Sequence, residues 1–164
     1  MKKLESDILK ILQEDCRVSA AEAAVMLGRE EAEVAAAIAE MERRGAIVKY
    51  TAILNSEAME DELVQALIEV RVSPQKSSGF DAIAEEIYRC EEVTSCYLMS
   101  GGFDLAVFIE GKSLREVARF VSERLSTLDD VLSTATHFIL KKYKIEGVIT
   151  DKEDENRVRL SVQA

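Results

Sequence analysis

Between residues 63 and 143 the spacing of apolar side chains alternates between the two-residue period of a strand and the 3.6-residue period of a helix, and the order admits few folds. LVQALIEVRV (63–72) reads as a strand, SPQKSSG as a loop, and FDAIAEEIYRC (80–90) as a helix with Phe80, Ile83, Ala84 and Ile87 on one stripe. VTSCYLM (93–99) reads as a strand, SGGF as a tight turn, and DLAVFIEG as a second strand at hairpin distance. SLREVARFVSERL (113–125) is an amphipathic helix capped by Ser113, and VLSTATHFILKKY (131–143) is a last long strand. Strand, helix, strand, strand, helix, strand is the ferredoxin-like βαββαβ order, an antiparallel sheet with both helices on one face. The other face then needs a partner, and Val64, Ala66, Ile68, Cys96 and Leu98 are the apolar residues expected on it. A dimer is the expected result.

The first 55 residues carry helix punctuation instead. Leu4, Ile8, Ile11 and Leu12 share one helical face, and SAAE (19–22) is a capping box opening a short helix through Ala23, Ala24 and Leu27. Gly28 is suited to end it. A third helix places Val34, Ile38 and Met41 on its inner face, with Gly45 fitted to a left-handed cap. Short helix, tight turn, longer helix is the helix-turn-helix pattern. The β-branched run AIVKYTAILN that follows reads as a strand or small wing. The chain is therefore expected to be α+β: a winged helix-turn-helix over residues 1–54, a polar hinge at 55–62 (NSEAMEDE), an αβ-sandwich at 63–149, and a polar tail at 150–164.

Charge and missing motifs narrow the function. A net charge of -10 opposes general affinity for nucleic acid or anionic membrane, so any DNA contact must be local and arranged. MKKLESDILKIL places charges inside its apolar stretch, unlike a signal peptide, and no segment has the unbroken apolar length of a membrane span. The three cysteines, Cys16, Cys90 and Cys96, lack CxxC spacing, which fits a reducing cytoplasm, with Cys90 and Cys96 as core fillers. His137 has no second histidine or cysteine pair at metal-ligand spacing, so no metal is expected. SGGFD does not open a helix, and neither GxxxxGK[ST] nor GxSxG occurs. Neither a cofactor nor an enzymatic activity is expected.

Several stretches together resemble the leucine-responsive regulator / AsnC, or feast/famine, family of transcription regulators. ILKILQEDCRVSAAEAAVMLG is similar to the family's first two helices, with Arg17 and Ser19 at its "GR-S" positions. MERRGAIVKYTAILN is similar to "LExxGvI..Y.A.LN" through Glu42, Gly45, Ile47, Tyr50 and Asn55. GGFDLAVFIEG resembles the family's "GxYD" turn and strand, and VLSTATHFILKKYK its last strand with threonines. The resemblance covers about residues 4 to 148. It implies a DNA-binding head hinged to a sandwich domain that dimerises through its sheet, dimers that assemble to octamers, and a small-molecule effector, usually an amino acid, bound between sandwich domains.

The resemblance places the DNA-facing set at Arg17, Ser19, Arg29, Glu31, Glu33, Ala36, Ala37, Arg43, Arg44 and Lys49, with the basic residues on phosphates. It places the effector set at Met99, Ser100, Gly101, Gly102, Asp104, Thr134 and Thr136. Glycines free backbone N–H groups for a carboxylate, and Asp104 suits an ammonium group. An ordinary hairpin, with glycines at positive φ and Asp104 bonding the turn, is the alternative for 101–104. The third helix departs from the family. Glu30 stands at its usual serine, and Ala37, Ala39 and Glu40 stand where arginines are common. Its acids either stabilise the positive end of their own helix or accept from cytosine N4 in the major groove. The competing reading is a metabolite-sensing oligomer whose acidic helix-turn-helix binds a protein instead of DNA.

Overall fold

The structure, a computed structural model, describes residues 2–55, 59, 63–73 and 79–150. Contacts divide the chain into two units, Met1–Ile53 and Leu54–Ala164. Most of the expected hinge and of the first loop, and the tail beyond Thr150, lie outside the described residues.

The first unit is three helices, α1 (Lys3–Glu14), α2 (Ala20–Leu27) and α3 (Glu31–Arg43). Ser19 caps α2 through its Oγ, which accepts from the Glu22 N–H at 3.2 Å, while Glu22 accepts from the Ser19 N–H at 2.8 Å. Ser19→Ala should therefore lower unfolding stability by about 1 kcal/mol in chemical denaturation, with unchanged stability as the contrary result. Gly28 (φ 61°) and Gly45 (φ 73°) both sit in the left-handed region that a side chain disfavours. At Gly45 the chain closes a Schellman motif: Gly45 N–H bonds Glu42 O and Ala46 N–H bonds Met41 O. These two reversals fold Ile8, Ala23, Ala24, Val34 and Met41 into one buried cluster, with Leu4, Ile11, Leu12, Leu27 and Ile38 packed around it.

Residues 46–55, expected as a strand or small wing, carry no strand among the described residues. β-branched residues favour extended backbone, but a strand also needs a ladder partner, and none is paired with this run among the described residues. Val48 and Leu54 are left exposed, while Tyr50 Oη donates to Glu42 at 2.9 Å.

The second unit contains β1 (Val64–Val72), α4 (Gly79–Tyr88), β2 (Val93–Leu98), β3 (Leu105–Gly111), α5 (Leu114–Phe120) and β4 (Val131–Phe138). The strands form one antiparallel sheet in the order β2-β3-β1-β4, the ferredoxin-like arrangement. Ser113 caps α5 as expected, accepting from the Glu116 N–H. Beyond Phe120 the helix widens into a π turn, Val121–Leu125, in which Ser126 N–H reaches Val121 O.

Two expectations are corrected. Ala66, Ile68, Val70 and Val72 face the helices, packing with Ile83, Ile87, Val117, Phe120 and Leu125, and Val64 and Cys96 join the same cluster. The residues expected on the uncovered face therefore belong to the covered one, and only Leu98, at a strand end, is exposed. Strand faces alternate, so the open face carries the other set: Leu67 and Glu69, with their partners Phe108, Ala106, His137 and Ala135. The last strand also stops at Phe138 rather than running to Tyr143. Ile139 N–H makes one more bond, to Gln65 O, one residue short of the start of β1 at Val64. The chain turns instead into a small hairpin, β5 (Lys144–Ile145) and β6 (Val148–Ile149).

Candidate DNA interface and effector site

Helix α3 packs inward through Val34 and Met41, so its opposite side is fixed as the outward one. Ala32, Ala35, Ala36 and Ala39 are exposed there at i, i+3, i+4, i+7 spacing, with Glu31, Glu33 and Glu40 flanking them. Glu31 and Glu33 occupy the first turn, near the positive end of the helix, while Glu30 makes no side-chain cap. Ala37 is half-buried against the core and does not share the outward stripe. Ser19 spends its hydroxyl on the α2 cap, donating to Glu22 at 2.7 Å.

The arginines assigned to phosphate are not idle. Arg17 grips Asp15 with Nε and Nη2, at 2.9 and 2.7 Å, and these bonds hold the Asp15 carboxyl down at about 2. Arg43 forks onto Glu40 at 2.8 and 2.6 Å and lowers its pKa. Arg29 lies 3.7 Å from Glu33, one turn along. Arg44 reaches back to Glu5 on α1 at 2.8 Å. Glu5 is nearly buried, and its carboxyl is lowered first by the Lys2 backbone N–H and then by Arg44. Lys49 is exposed and joins no ion pair among the described residues. Asp15 and Glu40 were missed from sequence. The three- and four-residue spacings of Glu40 with Arg43 and Arg29 with Glu33 were visible there, whereas the 39-residue separation of Glu5 and Arg44 was not.

In the second unit, residues 99–104 bridge β2 and β3. Met99 N–H bonds Asp104 O at 2.8 Å, and Asp104 N–H bonds Val70 O at 3.0 Å. Asp104 Oδ2 accepts from Val72 N–H at 2.9 Å, so its carboxylate ties the turn to the end of β1. Its Oδ1 takes no hydrogen bond among the described residues. Gly101 and Gly102 do not have positive φ, which removes that reason for their presence. Both are exposed, and a Cβ on either would meet no atom within 4 Å.

Thr134 and Thr136 stand on β4. Thr134 pairs with Val70, the residue whose carbonyl takes the Asp104 N–H, so β1 alone stands between the threonine strand and the β3 end of the turn. At a strand spacing of about 4.8 Å, β4 stands roughly 10 Å from β3, at whose start the turn ends.

The open sheet face is the other notable surface. Tyr97 and Phe108 meet edge to face, with ring centroids 6.0 Å apart. His137 Nε2 lies 3.3 Å from Glu69 Oε1. A groove of ≈ 380 Å³ runs from Tyr97, Phe108 and Ser95 to Lys142 and Lys144 beside the C-terminal hairpin.

Residues 65–149 match the family model described as the Lrp/AsnC ligand binding domain, and residues 1–48 match a winged helix-turn-helix DNA-binding domain. The chain is 46% identical over 154 residues to YugG, an uncharacterized HTH-type transcriptional regulator of Bacillus subtilis, covering 93% of each. In fold it is similar to the leucine response regulatory protein LrpA of Mycobacterium tuberculosis (TM-score 0.75, 24% identity, 89% of this chain and 97% of that one). It is also similar to a transcriptional regulator of Neisseria meningitidis solved as an L-Met complex (TM-score 0.70, 24% identity, 88% and 93%). A helix-turn-helix head followed by a ligand-binding sandwich defines a transcription regulator that couples DNA binding to a small molecule. The chain belongs to the Lrp/AsnC family of such regulators. That membership favours DNA over a protein partner for the first unit.

Proposed function

We propose that the chain is a cytoplasmic, non-catalytic regulator of double-stranded DNA whose effector is an amino acid and whose dimers, formed through the open sheet face, assemble to an octamer. The observation that carries the assembly is that face, with Tyr97 exposed and Leu67 and Phe108 half-buried on it while the opposite face is packed under α4 and α5. The cytoplasmic assignment follows from the role, since a regulator must meet its operator. In the head, Arg17, Arg29, Arg43, Arg44 and Lys49 address phosphates, and Glu31, Glu33 and Ala36 address base edges.

The effector reading rests on the 99–104 turn. Its exposed glycine amides suit a carboxylate, and Asp104 Oδ1 is available to an ammonium group. L-Met in the Neisseria meningitidis regulator supports an amino acid as the ligand class. Thr134 and Thr136 stand on β4, one strand beyond the residues of β1 that Asp104 bonds, and complete the same site.

Thermal-shift measurement against the twenty amino acids should find at least one that stabilises the protein. At a hundred times its dissociation constant, that gain is about 2.7 kcal/mol. Asp104→Asn keeps an acceptor for Val72 N–H but loses the charge, so the shift should vanish with the unliganded fold intact. A shift of equal size in that variant would remove the ligand from the turn.

A further inference from the structure

We propose that Asp15, Glu33 and Glu40 act as built-in competitors for DNA at Arg17, Arg29 and Arg43, keeping the head charge-compensated until phosphates displace them. The proposal rests on reading α3 as the groove helix and adds how its affinity is set. The geometry is that of phosphate recognition turned inward. At Arg17 and Arg43 two guanidinium nitrogens meet two carboxylate oxygens of one acid, the same fork that holds a phosphate. At Arg29 the partner is Glu33, in the first turn of α3 itself.

All three pairs are exposed, so each exchanges readily instead of locking the fold. Their cost appears on binding. When a phosphate takes the arginine, the released carboxylate remains beside a polyanion with no partner. An arginine that would release a DNA counterion then contributes a smaller net charge, which flattens the salt dependence. Arg44 is different, because its partner Glu5 is nearly buried and ties α1 to the end of α3. That pair is structural and stands outside the competition.

The test compares the full-length chain with Asp15→Asn/Glu40→Gln, with Glu40→Gln alone, and with a charge-matched Glu91→Gln/Glu92→Gln, all on a random-sequence duplex across a salt series. Circular dichroism checks that helicity is kept. Freeing two arginines should tighten binding at low salt and steepen the slope of log K against log salt by about 2, roughly 0.9 per arginine. Glu40→Gln alone should give half of that, and the charge-matched variant should keep the parent slope. Equal slopes in all four proteins, or equal steepening in the charge-matched variant, would overturn the competition alone. Absence of duplex binding by every protein at low salt would overturn both the DNA reading and the proposal.

Discussion

Leu67→Asp combined with Phe108→Asp is expected to leave a monomer of about 18 kDa in sedimentation equilibrium, where the parent chain sediments as a dimer or larger. The two residues are register partners at the centre of the open face, with Tyr97 packed edge-on against Phe108. Neither is part of the buried core, so each protomer should keep its fold and helicity. A standard interface covers about 800 Å² on each partner. In a two-fold dimer each substitution counts twice, so four unpaired carboxylates would enter that surface. Each costs several kcal/mol to desolvate, which moves the dissociation constant by orders of magnitude. A variant that still sediments with the parent would show that the second copy sits elsewhere.

The other large effect is expected from Met41→Ala. Met41 is fully buried in the cluster that holds α3 against α1 and α2. Truncating a buried methionine costs about 2–5 kcal/mol. A unit of this length has only about 3–8 kcal/mol of stability to lose, at roughly 0.05–0.15 kcal/mol per residue. The head should therefore be largely or partly unfolded at 37 °C and duplex binding should fall accordingly. Calorimetry should show the second unit melting as before, because its core shares no residue with this cluster. Retained DNA affinity with unchanged melting would mean that the small unit repacks around the gap.

The head was legible in the sequence wherever structure is decided by near neighbours. Ser19 with Glu22, Gly28 and Gly45 each act within six residues, and the apolar spacing of α1, α2 and α3 assigned their inner faces. The run AIVKYTAILN, read as a strand or small wing, carries no strand among the described residues, because a strand depends on a second segment that its own composition does not supply. The strand order of the sandwich also followed from periodicity, but the choice of face did not. In β1 the uniformly apolar set alternates with Gln65, Leu67, Glu69 and Arg71, and the helices claim the purer set. The mixed set, with Leu67 and its partner Phe108, is left for the open side.

The candidate sites divide along the same line. That 99–104 forms a turn between paired strands was legible, whereas the anchoring of Asp104 on Val72 depends on a strand 32 positions away. That Thr134 pairs with Val70, to which Asp104 is bonded, is a property of sheet order and not of spacing. In the head, the helical spacings of Glu40 with Arg43 and Arg29 with Glu33 were within reach of the sequence, whereas the Glu5 partner of Arg44, 39 positions away, was not.

Weak individual heads change what assembly means for this molecule. When one head alone holds DNA poorly, occupancy of an operator depends on several heads being tethered at once, and tethering multiplies affinity by roughly 10² to 10⁴ without any new contact. The ion pairs at Arg17, Arg29 and Arg43 thus set a threshold. A ligand that alters only how many copies stand together can switch an operator between empty and filled, with the reading surface of each head left untouched.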